Sequence, residues 1–295
     1  MLAVTGANGH LGRRLLKALD GQVPIRALVR SERAARQIKA LELSLAPEIH
    51  PVDYLDVSAM ATALEGCTAL VHLVGIIKET AASSYREAHE EGCRVLMEAA
   101  EHAGVQRVIY LNILGAAADA TNSCLASRGR AEEILCQGRV PVLVLRVPMV
   151  LGEGDYASRA LRQRADRRIN VLLRGSSLEQ PIYAGDVVRS IQAGLEMPLP
   201  QTLALDLAGL DSLSRRELTR RAAALLGRRT RIISLPLVVG LLAASLLERI
   251  SANPPVTRAM LGVLNHDDQI DCGPAVQALG IRLTPLTETL RRCLL

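Results

Sequence analysis

The sequence has no phenylalanine and no tryptophan, and its only aromatic residues are five tyrosines among 295 residues. Proteins that bind nucleic acids commonly stack bases on aromatic side chains. This composition and the lack of a nucleic-acid-binding motif argue against nucleic acid as a partner. Hydrophobic residues still make up 49% of the chain. Leucine, valine, isoleucine and alanine must therefore form a large core, and disorder is excluded.

The sequence also lacks the cysteine patterns of metal and redox sites. Its six cysteines include no C-x-x-C pair, so we expect no metal site and favour reduced, buried thiols. The N-terminus opens on an apolar strand without the regions of a signal peptide. The longest apolar run, Leu235–Leu247, is too short to cross a bilayer. These features predict a cytoplasmic protein.

What the sequence does contain is a glycine-rich turn at its start. An apolar segment, Leu2–Thr5, runs into Gly6, Gly9 and Gly12, and a segment compatible with a helix follows. In such a turn the first glycine permits the sharp bend, the second lets a phosphate approach, and the third lets the helix pack on the sheet. The N–H groups at the helix start bind a pyrophosphate. The context of a strand before and a helix after strengthens this interpretation over a turn without a ligand.

Strands and helices alternate through the first half of the chain, as in βαβ units of a parallel sheet. Continuous apolar runs such as Val142–Leu145 suit strands covered on both faces. We therefore predict an α/β protein with a Rossmann doubly wound parallel sheet and a smaller, mostly helical C-terminal lobe. Residues 1–150 form the predicted NAD(P)-binding Rossmann domain. Residues 151–295 form the lobe, interleaved with the first domain through roughly 180–210.

The end of the second predicted strand indicates which dinucleotide binds. NAD-selective sites place a carboxylate there, to bind the ribose hydroxyls. Here the strand Ile25–Val29 is followed by Arg30, with Arg33 one helical turn further on. A guanidinium suits a 2′-phosphate, so NADP(H) is favoured over NAD(H). Glu32 leaves the alternative open, because its carboxylate could reach the ribose.

Several motifs together resemble the extended and atypical short-chain dehydrogenase/reductases, which include epimerase/dehydratase-like and NmrA-like proteins. They are Thr5-Gly-Ala-Asn-Gly-His-Leu-Gly12, Val52-Asp-Tyr-Leu-Asp56, His72-Leu-Val-Gly75, Arg107-Val-Ile-Tyr-Leu-Asn112, Leu145-Arg-Val-Pro-Met149 and Gln180-Pro-Ile-Tyr-Ala-Gly-Asp186. The whole chain is most similar to the group around the accessory nucleotide-binding subunit of respiratory complex I. Three C-terminal segments carry that similarity: Asn253–Arg258, Asn265-His-Asp-Asp268 and Leu279–Leu286.

The resemblance implies a role for each matching position. The pyrophosphate would lie against Gly6, Asn8, Gly9, His10, Leu11 and Gly12. Arg30 would bind the 2′-phosphate, and Asp53 and Tyr54 would flank the adenine. Val74 and Gly75 would pass under the ribose on the nicotinamide side, and Pro148 and Met149 would lie near the nicotinamide. Ordinary core packing explains Val74 and Met149 equally well.

The chain departs from the family at the residues that transfer protons. The family uses a Tyr-x-x-x-Lys pair on one helix, in which lysine lowers the pKa of the tyrosine. Cys124 stands at the tyrosine position, Arg128 at the lysine position and Asn112 at the upstream Ser/Thr position. No lysine follows Lys78, so no shift of register restores the pair. Arg128 could still hold ribose hydroxyls, and Asn112 could bind an oxygen of the cofactor without acting as a general acid. We predict a cofactor site that has lost its proton-transfer residues.

Two functions remain open from the sequence. One is an NADP(H)-binding protein with a structural or sensor role. The alternative is an NADP-dependent oxidoreductase or sugar-nucleotide epimerase that uses non-standard residues, since positioning alone can lower a barrier substantially. A second tyrosine, Tyr85, lies four residues before His89, and we interpret the two as a packing pair rather than a catalytic one.

The net charge of +5 comes almost entirely from arginine, with clusters at 159–168 and 215–231. Such clusters usually lie on solvated helix faces. A protein partner or a peripheral membrane contact of the C-terminal lobe is also conceivable, through Leu235–Ile250 beside the Arg228–Arg231 cluster. We favour a buried C-terminal helix over that contact, because an apolar helix without a polar face suits a core.

Overall fold

The computed structural model describes residues 1–251 and 253–295. It contains thirteen strands: β1 (Leu2–Thr5), β2 (Ile25–Val29), β3 (Glu48–Pro51), β4 (Ala69–His72), β5 (Arg107–Ile113), β6 (Val142–Val147), β7 (Val150–Leu151), β8 (Ile169–Leu173), β9 (Leu178–Glu179), β10 (Ile182–Tyr183), β11 (Leu203–Asp206), β12 (Leu213–Ser214) and β13 (Arg231–Leu235). Seven of them form one parallel sheet in the order β11-β6-β5-β4-β1-β2-β3. The strands β2 and β4 flank β1, so Leu2 pairs with both Ile25 and Ala69.

Helices connect and cover the strands. They are α1 (His10–Ala18), α2 (Glu32–Lys39), α3 (Val57–Leu64), α4 (Gly92–His102), α5 (Ser123–Cys136), α6 (Tyr156–Ala165), α7 (Ala184–Glu196), α8 (Arg215–Leu225), α9 (Leu237–Ile250), α10 (Arg258–Gly262), α11 (Gly273–Leu279) and α12 (Leu286–Leu294). A π-helical segment, Arg86–Glu91, leads into α4. One predicted long helix, Tyr85–His102, is therefore a π-helical turn followed by an α-helix.

The sheet is buried on both faces. On one face the core joins α1, α2, α7 and α11 through residues such as Leu15, Ile38 and Ile191. On the other face it joins α3, α4 and α5 through residues such as Met60 and Leu96. Neighbouring strand residues point to opposite cores because side chains alternate along a strand. The predicted α/β class with a doubly wound parallel sheet is confirmed.

After residue 150 the chain contributes both to the central sheet and to a separate layer. The strand β11 pairs with β6 and forms an edge of the seven-stranded sheet. A third core joins α6, α8 and α12. Ser214 caps α8 by accepting a hydrogen bond from the Glu217 N–H, as its Ser-x-x-Glu pattern predicts. The strand β8 was not predicted, and it pairs with β13 in a two-stranded ladder. The division of the chain at residue 150 stays a prediction.

One expectation about the C-terminal lobe is wrong. The helix α9 is not a buried core helix, because only Gly240 and Ala244 of its fourteen residues are buried. Its large apolar side chains include exposed residues such as Leu242 and Ile250. Hydropathy indicated a helix that prefers an apolar environment, but no neighbouring element of the described chain covers most of it. Within residues 1–251 and 253–295, no helix is both long enough and apolar enough to cross a bilayer.

Candidate nucleotide-binding site

The turn between β1 and α1 forms the first part of the site. Gly6 has a φ of +69°, in the left-handed region that favours glycine. A Cβ on Gly12 would lie 2.4 Å from the Gly6 carbonyl oxygen and 2.6 Å from that of Ala7, so α1 packs on the turn only because residue 12 is glycine. Gly9 is the N-cap residue, and no side chain among the described residues caps the helix. The free N–H groups and the helix dipole thus form a place for an anion.

The side chains around this turn lie at its rim. The Asn8 amide donates to Gln37 of α2, with Nδ2 and Oε1 3.0 Å apart. His10 is exposed at the start of α1, and partial burial and the nearby Arg13 lower its pKa. Leu11 packs against the core beneath the turn. The backbone of the turn is therefore the part that faces outward for a ligand, and the rim side chains shape its approach.

Arg30 and Tyr54 lie together where β2 ends. The guanidinium carbon of Arg30 is 5.9 Å from the centre of the Tyr54 ring. The Tyr54 hydroxyl donates to the Leu28 carbonyl at 2.6 Å and accepts from the Gly6 N–H at 3.4 Å. Burial raises the pKa of Tyr54 to about 12. The tyrosine thus stays protonated and joins the end of β2 to the glycine turn, with an exposed arginine above its ring.

The two acidic residues near Arg30 differ in how they are used. The Asp53 carboxylate accepts a hydrogen bond from the Leu55 N–H at 3.0 Å and shapes its own loop. Glu32 lies in the first turn of α2, where Ser31 caps the helix by accepting from the Ala34 N–H. Glu32 is exposed. The alternative of a carboxylate facing the ribose therefore stays open in this geometry.

Gly75 and Arg128 meet beyond the end of β4. A Cβ on Gly75 would lie 1.7 Å from Nη2 of Arg128, so the guanidinium rests directly on the backbone of residue 75. Val74, the preceding residue, packs against the core formed with α3, α4 and α5. The structure thus brings together three residues that the sequence analysis assigned to the ribose on the nicotinamide side.

Arg128 is a buried cation without a carboxylate partner among the described residues. Its Nη1 reaches the Tyr110 hydroxyl at 3.3 Å and the Leu111 carbonyl at 3.4 Å, which are long contacts. Its Nε is buried and has no hydrogen-bond partner within residues 1–251 and 253–295. Buried charges in proteins are normally paired. This arginine therefore has unused donors beside a glycine backbone, as a ligand with hydroxyl or phosphate oxygens requires.

A carboxylate in this region, Glu132, already has a cationic partner. It pairs with Arg146, which also contacts Asp206. The Asn112 amide donates to Glu132 at 2.7 Å and to the Arg128 carbonyl at 3.3 Å. All the polar atoms of Asn112 are thus used within the core, and the structure does not bring its side chain to the cavity described below. The upstream Ser/Thr position of the family carries a structural amide here.

Histidines near Arg128 are held neutral. His72 stacks on Tyr110 with ring centres 5.6 Å apart, and its Nδ1 lies 2.7 Å from the Thr5 hydroxyl. Burial, and then the charge of Arg128, lowers the pKa of His72 to about 3. The same causes lower the pKa of His89 to about 3. The two imidazoles therefore add no charge to the neighbourhood of the arginine.

His89 holds the loop that follows Gly75. Its Nε2 accepts the Ile76 N–H at 3.1 Å, which leaves Nδ1 as the donor to the Ser127 hydroxyl at 3.2 Å. Ser127 in turn donates to the Tyr85 carbonyl. The rings of Tyr85 and His89 stack with centres 5.6 Å apart, so the two side chains pack against each other.

Cys124 lies at the tyrosine position of the family, beside Tyr85 from a different segment. Its Sγ is 3.8 Å from the Ile76 carbonyl, and burial raises the pKa of the thiol. The Tyr85 hydroxyl donates to the Ile77 carbonyl at 2.9 Å, and burial raises its pKa. Lys78 bonds to Asn253 instead, at 2.5 Å. Across the described residues no hydrogen bond joins a lysine to a tyrosine.

A cavity of about 260 Å³ opens next to Cys124. Pro148 and Met149, the residues assigned to the nicotinamide end, line it together with apolar residues of β5 and β6 and of the C-terminal lobe. The other lining residues are Ile77, Ile113, Leu114, Val147, Ser177, Leu178, Glu179, Arg215, Val263, Leu264, His266 and Asp268. The cavity is thus a mainly apolar space with a few ionisable groups on one wall.

Two of the ionisable groups of the cavity, His266 and Asp268, come from the segment before α11, while the other two, Glu179 and Arg215, form an ion pair with each other. Nε2 of His266 lies 3.8 Å from Oδ1 of Asp268. Burial raises the pKa of Asp268 to about 6, against a smaller opposite effect of His266. Asp267 holds the segment in place, because its carboxylate accepts from the Leu178 N–H at 2.9 Å and pairs with Arg174. A carboxyl that gains its proton near pH 6, rather than near pH 4, therefore faces the cavity.

Sequence reasoning did not assign His266 and Asp268 to the site. They entered only as part of the Asn265–Asp268 segment that carried the similarity. Their position depends on close packing, since a Cβ on Gly115 would meet the His266 ring at 3.1 Å. Gly115 has a φ of +78° and follows β5. No local pattern around residue 266 signals that contact, which joins positions about 150 residues apart.

Comparisons with known proteins agree with this geometry. A family model described as NAD(P)H-binding matches residues 6–168. A ceramide reductase of Caulobacter vibrioides is 29% identical over 239 residues, which is 80% of this chain and 74% of that protein. A mitochondrial NADH dehydrogenase [ubiquinone] 1 alpha subcomplex subunit 9 of Arabidopsis thaliana is 25% identical over 201 residues, which is 65% of this chain and 49% of that protein.

Among solved structures, the Citrobacter sp. triphenylmethane reductase complexed with NADP(H) superposes with a TM-score of 0.77 at 19% identity. The superposition covers 100% of both chains. At this identity the match shows a shared fold. The family model covers most of the candidate site. It includes the glycine turn from Gly6, the segments that carry Arg30, Gly75 and Arg128, and the cavity residues of β5 and β6.

Proposed function

Because this chain belongs to the NAD(P)H-binding family, within the atypical short-chain dehydrogenase/reductases, we propose that it binds NADP(H) in preference to NAD(H). The observation that carries this proposal is Arg30, an exposed guanidinium held over the Tyr54 ring beside Gly6. A charge-assisted hydrogen bond to a 2′-phosphate contributes about 1.5–3 kcal/mol. That is enough for a preference of about tenfold or more. The Asp53 carboxylate accepts a hydrogen bond from the Leu55 N–H, so it is less free to bind the ribose hydroxyls of NAD(H).

The other predicted contacts of the nucleotide fit this placement. Two features of the chain support the ribose contact: the unpartnered Nε of Arg128 and the Gly75 backbone beneath its guanidinium. We assign the remaining contacts as the sequence analysis predicts them. The pyrophosphate contacts are Gly6, Asn8, Gly9, His10, Leu11 and Gly12; the adenine contacts are Asp53 and Tyr54; the ribose contacts are Val74, Gly75 and Arg128; and the nicotinamide contacts are Pro148 and Met149.

Binding measurements test the nucleotide preference. Titration calorimetry gives the dissociation constants of NADPH and NADH for the wild type and for Arg30→Ala. We expect Arg30→Ala to weaken NADPH binding about tenfold or more and to leave NADH binding nearly unchanged. Arg36→Ala, which removes another exposed arginine of α2, serves as the control. An equal loss for both nucleotides in Arg30→Ala would refute the 2′-phosphate contact.

The first function that we propose is a structural or nucleotide-sensing role. Cys124 and Arg128 occupy the positions of the Tyr–Lys pair, and burial raises the pKa of the Cys124 thiol, which keeps it protonated. Binding of NADP(H) requires no proton transfer, and Arg128 can contact the ribose without one. A ligand that binds only the folded state stabilises it. The nucleotide would then control the stability of the protein and the availability of its surfaces.

One observation favours a second function, the reduction of a lipophilic substrate. The cavity beside Pro148 and Met149 is mainly apolar, and its ionisable lining consists of His266, Asp268 and the paired Glu179 and Arg215. The names of two relatives mention lipid-soluble molecules, a ceramide and ubiquinone. We therefore propose a carbonyl or a quinone on an apolar molecule as the substrate class.

The reaction needs a hydride and a proton. A bound dihydronicotinamide supplies a hydride to carbon or to a quinone ring. The proton must go to the substrate oxygen, and Asp268, with a pKa of about 6, can hold one near neutral pH. The His266 ring lies beside this carboxyl, with its Nε2 3.8 Å from Oδ1 of Asp268. The buried thiol of Cys124 is a weaker acid and lines the same cavity.

Turnover assays separate the two functions. NADPH oxidation is followed with a long-chain ketone and an alkylated benzoquinone as probes. If the protein is a reductase, Asp268→Asn lowers kcat without weakening NADPH binding, and the control His102→Gln on α4 changes neither. Tight NADPH binding without turnover of either probe would leave the structural or sensor role as the function.

A further inference from the structure

The C-terminal lobe exposes a continuous apolar surface. One part is a stripe along α9, where Val239, Leu242, Leu246 and Ile250 recur every three or four residues and lie on one side of the helix. Leu242 is 67% exposed and Ile250 is 74% exposed. The opposite side of α9, at Gly240 and Ala244, is buried. The helix therefore has a buried seam of small residues and an outward stripe of large ones.

The second part is the outer face of the ladder formed by β8 and β13. Val171 pairs with Ile233 in the register, and both are exposed, at 60% and 42%. Ile169, two residues earlier on β8, is 59% exposed. Residues two apart on a strand share a face. Leu173 is the next residue on this face, and a Cβ on Gly240 would meet it at 2.3 Å. The buried side of α9 thus packs on the same face that the ladder exposes, which makes the two parts contiguous.

Arginines border this apolar surface. Arg231 pairs with Ile169 at the first position of the ladder, so its side chain lies on the same face as Ile169. The Arg231 N–H donates to the Arg168 carbonyl at 2.8 Å. Arg168 and Arg231 both line a depression at this end of the ladder. Its lining residues are Asp166, Arg168, Arg220, Gly227, Arg228, Arg229, Thr230, Arg231 and Ile232. Five arginines and one aspartate give this rim a strong positive charge.

We propose that this surface docks onto a phospholipid bilayer that contains anionic headgroups. We call it the membrane face and define it by Ile169, Val171, Ile233, Val238, Val239, Leu242, Leu246, Leu247 and Ile250, with the five arginines of the depression. Apolar side chains on an amphipathic element enter the headgroup region, while adjacent cationic side chains contact the phosphates. Arginine provides forked hydrogen bonds to phosphate. Charge complementarity therefore distinguishes an anionic bilayer from an uncharged protein surface as the occupant.

The position of α9 connects the membrane face to the candidate site. Leu241 and Glu248 of α9 line a depression that they share with Asn122, at the start of α5, and with His266. Docking through α9 would bring that depression close to the lipid. The proposal does not depend on the reductase activity. The residues of the membrane face are neither the proposed nucleotide contacts nor the lining of the cavity beside Cys124. It nevertheless agrees with a lipophilic substrate.

Vesicle sedimentation of the full chain tests the membrane face. The probes are vesicles of phosphatidylcholine alone and vesicles with phosphatidylglycerol added. We expect binding to the anionic vesicles to exceed binding to the neutral ones by about tenfold or more, and to weaken as the salt concentration rises. The double variant Leu242→Ser/Leu246→Ser and the double variant Arg228→Glu/Arg229→Glu should each lose about tenfold or more in binding to the anionic vesicles.

Matched controls keep the outcome interpretable. Leu45→Ser removes an exposed leucine far along the chain from the membrane face, and Arg36→Glu reverses an exposed arginine of α2; neither should change vesicle binding. An unchanged thermal shift with NADPH shows that each variant is folded. Equal vesicle binding by the wild type and both double variants overturns the proposal. A dimer without vesicles that Leu242→Ser/Leu246→Ser dissociates also overturns it, because a second copy then covers the surface.

Discussion

Replacing Arg128 with methionine should stabilise the nucleotide-free protein and lower its affinity for NADPH. Arg128 is 8% exposed, and the only hydrogen bonds of its guanidinium among the described residues are long, at 3.3 and 3.4 Å. Burial of a charge costs several kcal/mol after relaxation. Hydrogen bonds to a charged group return about 1.5–3 kcal/mol each at good geometry, and less at these distances. Methionine has a similar length and carries no charge.

These opposing contributions set the expected size of the effect. We expect Arg128→Met to raise the free energy of unfolding of the nucleotide-free protein by about 1–2 kcal/mol. That raises the Tm by roughly 2–6 °C for a chain of this length. Loss of one or two contacts to the ribose should weaken NADPH binding by about ten- to hundredfold. A single substitution would therefore change stability and affinity in opposite directions.

Thermal unfolding without nucleotide and calorimetry with NADPH measure the two quantities. Arg128→Lys is the matched control, because it keeps the buried charge and restores the residue type of the family. It should not gain stability, and it should keep NADPH affinity within about tenfold of the wild type. If Arg128→Met unfolds more easily than the wild type while its NADPH affinity is unchanged, Arg128 is a structural residue and our reasoning is wrong.

Three further outcomes follow from the geometry. Gly12→Ala should lower the free energy of unfolding in urea by about 1–3 kcal/mol, because its Cβ would meet two rigid carbonyl oxygens at 2.4 and 2.6 Å. Gly9→Ala meets the Gly6 oxygen at 3.1 Å and should mainly weaken NADPH binding, so equal destabilisation by both substitutions would contradict the packing argument. Burial raises the pKa of Asp268 from 3.8 to about 6, so its contribution to stability is full below pH 3.8 and is lost as the pH rises through 6. The free energy of unfolding of Asp268→Asn should therefore exceed that of the wild type by about 1–2 kcal/mol at pH 7, after a discount for partial exposure, and should equal it at pH 3.5. For His72, whose pKa falls from 6.5 to about 3, the contribution is present above pH 6.5 and is lost as the pH falls; an NMR titration midpoint above about pH 5 would contradict its burial.

Local patterns were sufficient for most of the central sheet. The strands β1 and β2 have the predicted bounds, because each is a short, mostly apolar run that is followed by a glycine or an arginine. The strand β8 was missed since two of its apolar residues, Ile169 and Val171, face outward and do not form a buried run. The same limit applied to α9. Its hydropathy indicated the kind of surroundings that it prefers, whereas the exposure depends on which elements reach it.

The glycine turn, the parallel α/β class and the absence of a Tyr-x-x-x-Lys spacing were determined by the sequence alone, because each rests on residue type at short spacing. Only the tertiary structure decided that Arg128 is buried without an acidic partner among the described residues, that His266 and Asp268 line the same cavity as Cys124, and that α9 continues the apolar face of the ladder. Those features join positions far apart in the chain. Burial and charge pairing depend on the neighbours that folding supplies, and no local window of residues contains that information.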